Sequence, residues 1–239
     1  MLRCKSPQVI LSGPAETGKT YACCIKVHLT ALKYSKSQHA IVRKTYNSIT
    51  GSVGKTFERI IVGANVQTIG GSFPTRYIYP NGSTVWVGGM DNPDRVLSSE
   101  RDTIYVAQAE ELSESDWETL STRCTGRGAI VKFPQLLGDC NPAGSKHWIR
   151  QKAIEKRLEL FNAMHKDNPT LYDDAGKVTE QGKRSLAALE MLTGVRRKRL
   201  LEGIWATAEG AVYDMFDATM HVRARDWMEF KRFFLAVDE

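Results

Sequence analysis

The chain has 239 residues, enough for one large domain or one domain with a small appendage, and its 42% hydrophobic and 25% charged residues are ordinary for a globular protein. No apolar run approaches the roughly 18 residues of a membrane span, and the five cysteines (Cys4, Cys23, Cys24, Cys124 and Cys140) form no CxxC pair or Cys/His cluster, which argues against a disulfide framework or structural zinc. A net charge of +6 favours an anionic partner such as nucleic acid or nucleotide, and the N-terminus lacks the layout of a signal peptide, so a cytoplasmic protein is expected.

In chain order, Gln8 to Ser12 reads as a short buried strand, followed by a glycine-bounded turn. Lys19 to Tyr34 reads as a helix, His39 to Lys44 as a second strand and Ser48 to Val62 as a second helix. Arg76 to Gly89 carries alternating apolar residues on either side of Asn81-Gly82, a strong hairpin signal. Asp102 to Ala107 is another apolar strand. Ser113 is placed to cap a helix running to about Cys124. Ala129 to Gly138 reads as a strand interrupted by Pro134. The second half is more helical, with segments at Thr179 to Thr193 and Val195 to Glu202. The last run, from Phe233, looks like a strand that stops as soon as it begins, as if the chain ended just inside a further domain. The alternation of strands and helices predicts an α/β fold with a mainly parallel central sheet flanked by helices.

Gly13, Pro14, Ala15, Glu16, Thr17, Gly18, Lys19 and Thr20 fit GxxxxGK[ST] without mismatch. The glycines let the backbone curl so that several N–H groups converge on phosphate oxygens. Lys19 reaches the β and γ phosphates, and Thr20 offers its hydroxyl to Mg²⁺. The helix that follows aims its positive end at the same anions. The motif has the context it needs, after an apolar strand and before a helix. ATP and Mg²⁺ are the expected ligands.

A P-loop ATPase ordinarily carries an acidic pair at the end of a second apolar strand, one carboxylate for the Mg²⁺ shell and one for the attacking water. The matching strand here leads into Ala107-Gln108-Ala109-Glu110-Glu111, with no acid at the expected pair. Three readings stay open. Gln108 orients the water while Glu110 or Glu111 supplies the missing carboxylate; the site binds ATP but turns over slowly; or Ala107 replaces a once-polar residue. Should Glu110 not act, Glu111, Asp139 or Gln108 is next in line.

These motifs resemble the ATPase domain of the large terminase subunit of tailed phages. The resemblance covers nearly the whole chain: LSGPAETGKT from Leu11, IVRKT from Ile41, GGMDNPDRVLS from Gly88, IYVAQAEELSESDWETL from Ile104, GDCNPAGSKHW from Gly138, HKDNPTL from His165, LTGVRRKRLLEGIWATAEGAVYDMFD from Leu192, and the terminal FFLAVDE. It implies a P-loop core over residues 1–150, a lid subdomain over 151–230 and the start of an RNase H-like nuclease over 231–239. Gln108 takes the position of the catalytic glutamate, Asn141 that of the coupling residue that senses the γ-phosphate, and Asp238 that of the first nuclease metal ligand. With the rest of the nuclease absent, the chain is not expected to cut DNA. Arg95 stands where such motors carry a basic residue acting across a ring interface, with Arg101 competing. Arg43, Lys44 and Arg196 to Arg199 are candidates for phosphate, DNA or subunit contacts. Residues that pack on adenine are expected to be missing or reduced to Arg3, Lys5 and Gln8. The implied partners are double-stranded DNA, the portal protein, the small terminase subunit and further copies in a ring on the portal, without a membrane, in the host cytoplasm.

Overall fold

A computed structural model describes residues 1–93, 98–126 and 131–207. Among the described residues eight strands form one sheet: β1 (Gln8–Ser12), β2 (Gln38–Arg43), β3 (Gln67–Ile69), β4 (Arg76–Ile78), β5 (Thr84–Gly89), β6 (Thr103–Val106), β7 (Gln135–Cys140) and β8 (Glu159–Asn162). Their order is β3-β4-β5-β2-β6-β7-β1-β8. The run from β5 to β8 is parallel, and β3 and β4 pair antiparallel at one edge. The helices are α1 (Lys19–Lys33), α2 (Asn47–Thr50), α3 (Val53–Ile61), α4 (Glu114–Arg123), α5 (Trp148–Ile154), α6 (Glu180–Glu190) and α7 (Gly194–Leu200). No helix among the described residues is long and apolar enough to cross a membrane.

The central strands are apolar at successive positions because both faces of the sheet are covered. Strand alternation sends Val9, Leu11, Ile41, Tyr105 and Leu137 to one face, where Cys23, Cys24 and Val27 of α1 and Phe57 of α3 complete a core. Ile10, Val42, Ile104, Val106 and Leu136 face the other way, onto Trp117 and Leu120 of α4 and Ile149 of α5. Cys23 and Cys24 are thus packing residues, as their place on an apolar helix stripe suggests.

Several elements differ from the sequence reading. The helix expected from Ser48 to Val62 is broken into α2 and α3 at Gly51-Ser52. Arg43 braces the break, its guanidinium donating to the Ser48 carbonyl at 2.9 Å and to Ser52 Oγ at 3.0 Å. β7 starts only after Pro134, which has no N–H for a ladder, and runs on to Cys140 rather than ending at Gly138. Strands β3 and β8 and helix α5 have no counterpart in the sequence reading. β8 lies past residue 150 yet pairs with β1, so the sheet draws on the segment assigned to the lid.

The hairpin and the α4 cap follow their sequence signals. Asn81 also donates from Nδ2 to the Ala31 and Leu32 carbonyls, closing the end of α1. Ser113 Oγ accepts from Asp116 N at 3.1 Å while Asp116 Oδ2 accepts from Ser113 N at 3.1 Å, a reciprocal capping box. Ser113→Ala should cost about 1 kcal/mol of stability, read as a lower denaturant midpoint at unchanged slope.

Candidate functional site

The carboxyl ends of β1, β2, β6 and β7 lie at one edge of the sheet, where ligands gather in parallel α/β folds. The turn after β1 holds Gly13 to Thr20, and the turn after β6 holds Gln108, Glu110 and Glu111. Asn141 follows β7. These segments border a cleft of about 1190 Å³, reached by Glu16 to Thr20, Gln108, Asp139 and Asn141.

The phosphate loop is wedged between two supports. On one side, a Cβ at Gly13 would collide with the Ala163 carbonyl just after β8, so only glycine lets β1 turn here. His165 Nε2 pairs with the Ala15 carbonyl at 2.9 Å, and Asn168 Nδ2 donates to the Glu16 carbonyl at 2.6 Å. On the other side, the Ala15 amide donates to the Leu200 carbonyl at the end of α7, at 2.9 Å. Gly18 opens α1 with φ of 77°, the left-handed conformation that favours glycine.

Lys19 is buried, and its ammonium lies folded into the loop. It donates to the Gly13 carbonyl at 2.9 Å, the Pro14 carbonyl, Thr17 Oγ1 at 3.1 Å and Asn141 Oδ1 at 3.3 Å. Burial lowers its pKa, against the opposing pull of Asp139. An ammonium whose hydrogen-bond partners are all neutral oxygens gains from an incoming anion, which is what a phosphate supplies.

Thr20 Oγ1 donates to Asp139 Oδ2 at 2.7 Å. The other Asp139 oxygen accepts from Tyr105 Oη at 2.8 Å and from the Gln108 amide at 3.2 Å. Gln108 itself has φ of 52°, a left-handed conformation that a side chain larger than glycine adopts at a cost. The Asp139 carboxylate holds that backbone in place.

Glu110 and Glu111 share a short 3₁₀ turn and part ways. Glu111 pairs with Arg43 through two contacts, 3.1 Å to Nη2 and 3.3 Å to Nε. Glu110 turns inward. Its Oε1 accepts from Asn141 N at 3.0 Å and Asn141 Nδ2 at 3.2 Å, and its Oε2 is buried without a hydrogen-bond partner among the described residues. Burial pushes its carboxyl up to about 7. Asn141 thus bridges Lys19 to Glu110, its carboxamide oxygen on the ammonium and its N–H on the carboxylate. The turn is pinned from α5, where His147 Nε2 pairs with the Glu110 carbonyl at 3.3 Å and Trp148 Nε1 donates to the Leu112 carbonyl at 2.9 Å.

The remaining candidates scatter. Arg101 is buried at the opposite end of β6, its guanidinium over the Trp86 ring. Gln8 sits at the amino end of β1, opposite the phosphate loop, and accepts from Trp117 Nε1. Arg197 and Arg199 bond to the Glu190 and Ala206 carbonyls within their own segment. Arg95 and Asp238, and the strand read from Phe233, lie outside the described residues. The residue that the sequence reading kept only in reserve is Asp139; its signal was an acid at the end of an apolar strand, two places before Asn141.

The model of the phage terminase large subunit family matches residues 5–186. The PBSX phage terminase large subunit of Bacillus subtilis (strain 168) is 27% identical over 144 residues, which is 58% of this chain and 32% of that protein. The large terminase of a thermophilic bacteriophage has the same fold, with a TM-score of 0.69 at 21% identity over 89% of this chain and 52% of its own. The ADP complex of that terminase gives 0.67 at 23% over 91% and 54%. The large terminase ATPase domain of Thermus phage P74-26 gives 0.60 at 15% identity over 85% of this chain and 90% of that domain. The chain therefore spans about a third of the curated relative's length and about half of the thermophilic phage protein's. With the family model covering most of its length over the phosphate loop and its partner strands, this chain belongs to the phage terminase large subunit family.

Proposed function

We propose that this chain is the ATP-hydrolysing motor part of a terminase, coupling hydrolysis to the movement of double-stranded DNA into a procapsid. The carrying observation is the complete phosphate loop at the sheet edge, with Lys19 bonded to loop carbonyls and to Asn141, which in turn holds Glu110. Structures of the thermophilic phage's large terminase in complex with ADP and with ATP-γ-S support nucleotide binding by this chain.

In this reading the loop amides bind the β and γ phosphates and Lys19 exchanges its carbonyl partners for phosphate oxygens. Thr20 would offer its hydroxyl oxygen to Mg²⁺. When bound, Mg²⁺ neutralises phosphate charge. Glu110 takes the proton of the attacking water as the new P–O bond forms and the bond to ADP breaks, and Gln108 orients that water from the cleft wall. Glu111 is the weaker candidate because Arg43 holds it. Asn141 loses its partners as the charges on both sides change, which gives the site a way to report the γ-phosphate to its surroundings. Arg95 acts across a ring of copies on the portal protein, alongside the small terminase subunit, and residues beyond the sheet, from about 163, form the lid. Asp238 contributes to a nuclease metal site.

A second reading, nucleotide binding with weak or no hydrolysis, is favoured by Ala107 and Gln108 at the expected acidic pair. The ATPase rate with and without double-stranded DNA, on this chain and on a longer one, separates them. The motor reading expects DNA to raise the rate several-fold; binding of Mg-ATP with no turnover in either chain, portal present, refutes it.

A further inference from the structure

The second motif strand brings no carboxylate to the phosphate edge, since β6 runs out into Ala107 and Gln108. Its neighbour does. β7 lies between β6 and β1 and is hydrogen-bonded to both, with Val106 level with Gly138 and Leu11 level with Asp139. The next residue pair along β6 and β7 sets Ala107 beside Asp139. An acid at 139 thus stands level with the vacant acidic position, one strand spacing of about 4.8 Å nearer the phosphate loop.

The geometry points to Asp139 as the carboxylate that anchors Mg²⁺ beside Thr20, moved from the usual strand to the adjacent one. Three observations carry this, and all rest on the nucleotide-binding reading given above. Asp139 and Thr20 both line the cleft, and the Thr20 hydroxyl donates to Asp139 Oδ2 at 2.7 Å. The far oxygen is fixed by Tyr105 Oη and the Gln108 amide, which orient the carboxylate with its second oxygen toward Thr20. Of the two acids after β6, Glu111 is held by Arg43 and Glu110 by Asn141, and neither touches Thr20. The pair of a threonine hydroxyl and one carboxylate is what Mg²⁺ takes from a protein when substrate phosphates and water fill its remaining positions.

The test measures affinity rather than turnover. Titration calorimetry with ATP-γ-S, in Mg²⁺ and in EDTA, gives the gain in affinity that the metal confers. Wild-type protein should bind more tightly with Mg²⁺, and absence of binding in both conditions would fault the nucleotide-site reading itself. In Asp139→Asn the Mg²⁺ gain should fall by about tenfold or more while the EDTA affinity stays within about twofold; an unchanged gain overturns the assignment and leaves Asp139 as a support for Gln108. A second measurement needs no variant. Fe²⁺ replacing Mg²⁺ in the wild-type nucleotide complex, with ascorbate and peroxide, should cleave the chain near Asp139 and Thr20. Cleavage confined to residues 107 to 111 overturns the proposal.

Discussion

Lys19→Ala should weaken nucleotide binding and lower turnover by about 10²–10³-fold or more, the usual loss in rate when one preorganised donor to developing charge is removed. The side chain is buried and already aimed into the turn, so no reorganisation of solvent is needed when phosphate arrives. Its removal leaves the Gly13 and Pro14 carbonyls facing the anion without a counter-charge. The fold should persist, because the loop is also held from His165, Asn168 and Leu200. Calorimetry with Mg-ATP-γ-S, alongside a phosphate-release assay, checks both parts. Wild-type turnover in the variant would defeat the nucleotide assignment.

Glu110→Gln should lower the hydrolysis rate by about 10²–10⁴-fold, the range for losing a positioned base. The same change should make the nucleotide-free protein more stable above neutral pH. The sign follows from the raised carboxyl. Glu110 ordinarily ionises near 4.5 and here near 7, so between those values the folded chain keeps a proton that the unfolded chain releases. Stability therefore falls as pH rises through that window. Glutamine keeps an acceptor for Asn141 and removes the buried charge, so the variant should match wild type near pH 4.5 and exceed it at pH 8 by roughly 1–3 kcal/mol. The groups facing this carboxyl are Asp139 and Cys140 on β7, Glu111 beside it and Lys19 across Asn141; the two acids add to the shift, though burial dominates it. Thermal melts at the two pH values read the crossover. A variant that is slow yet no more stable at pH 8 would show that Glu110 carries no buried charge; one that hydrolyses normally would show that Glu110 is not the base.

Much of the fold was legible because its signals are local. The phosphate loop is a contiguous octapeptide, Asn81-Gly82 announces its hairpin, and Ser113 with Asp116 announces a helix start. The unread parts depend on the rest of the molecule. β8 is an edge strand with charged and polar ends, and nothing in its own pattern shows that β1 is waiting for it. The break at Gly51-Ser52 is fixed by Arg43, which arrives from another strand. Glu110 and Glu111 are adjacent and chemically alike in sequence; only the 3₁₀ turn sends one to the interior and the other to a guanidinium. Asp139 became visible once β7 was seen to lie between β1 and β6, since strand order cannot be read from a list of strands.

The bond from the Ala15 amide to the Leu200 carbonyl joins main chain to main chain. A tether of that kind is indifferent to which side chains occupy either end, provided residue 15 is not proline. The last turn of α7 therefore stays fastened to the loop whatever side chains it carries, while Arg197 and Arg199 are occupied with carbonyls on either side of the helix.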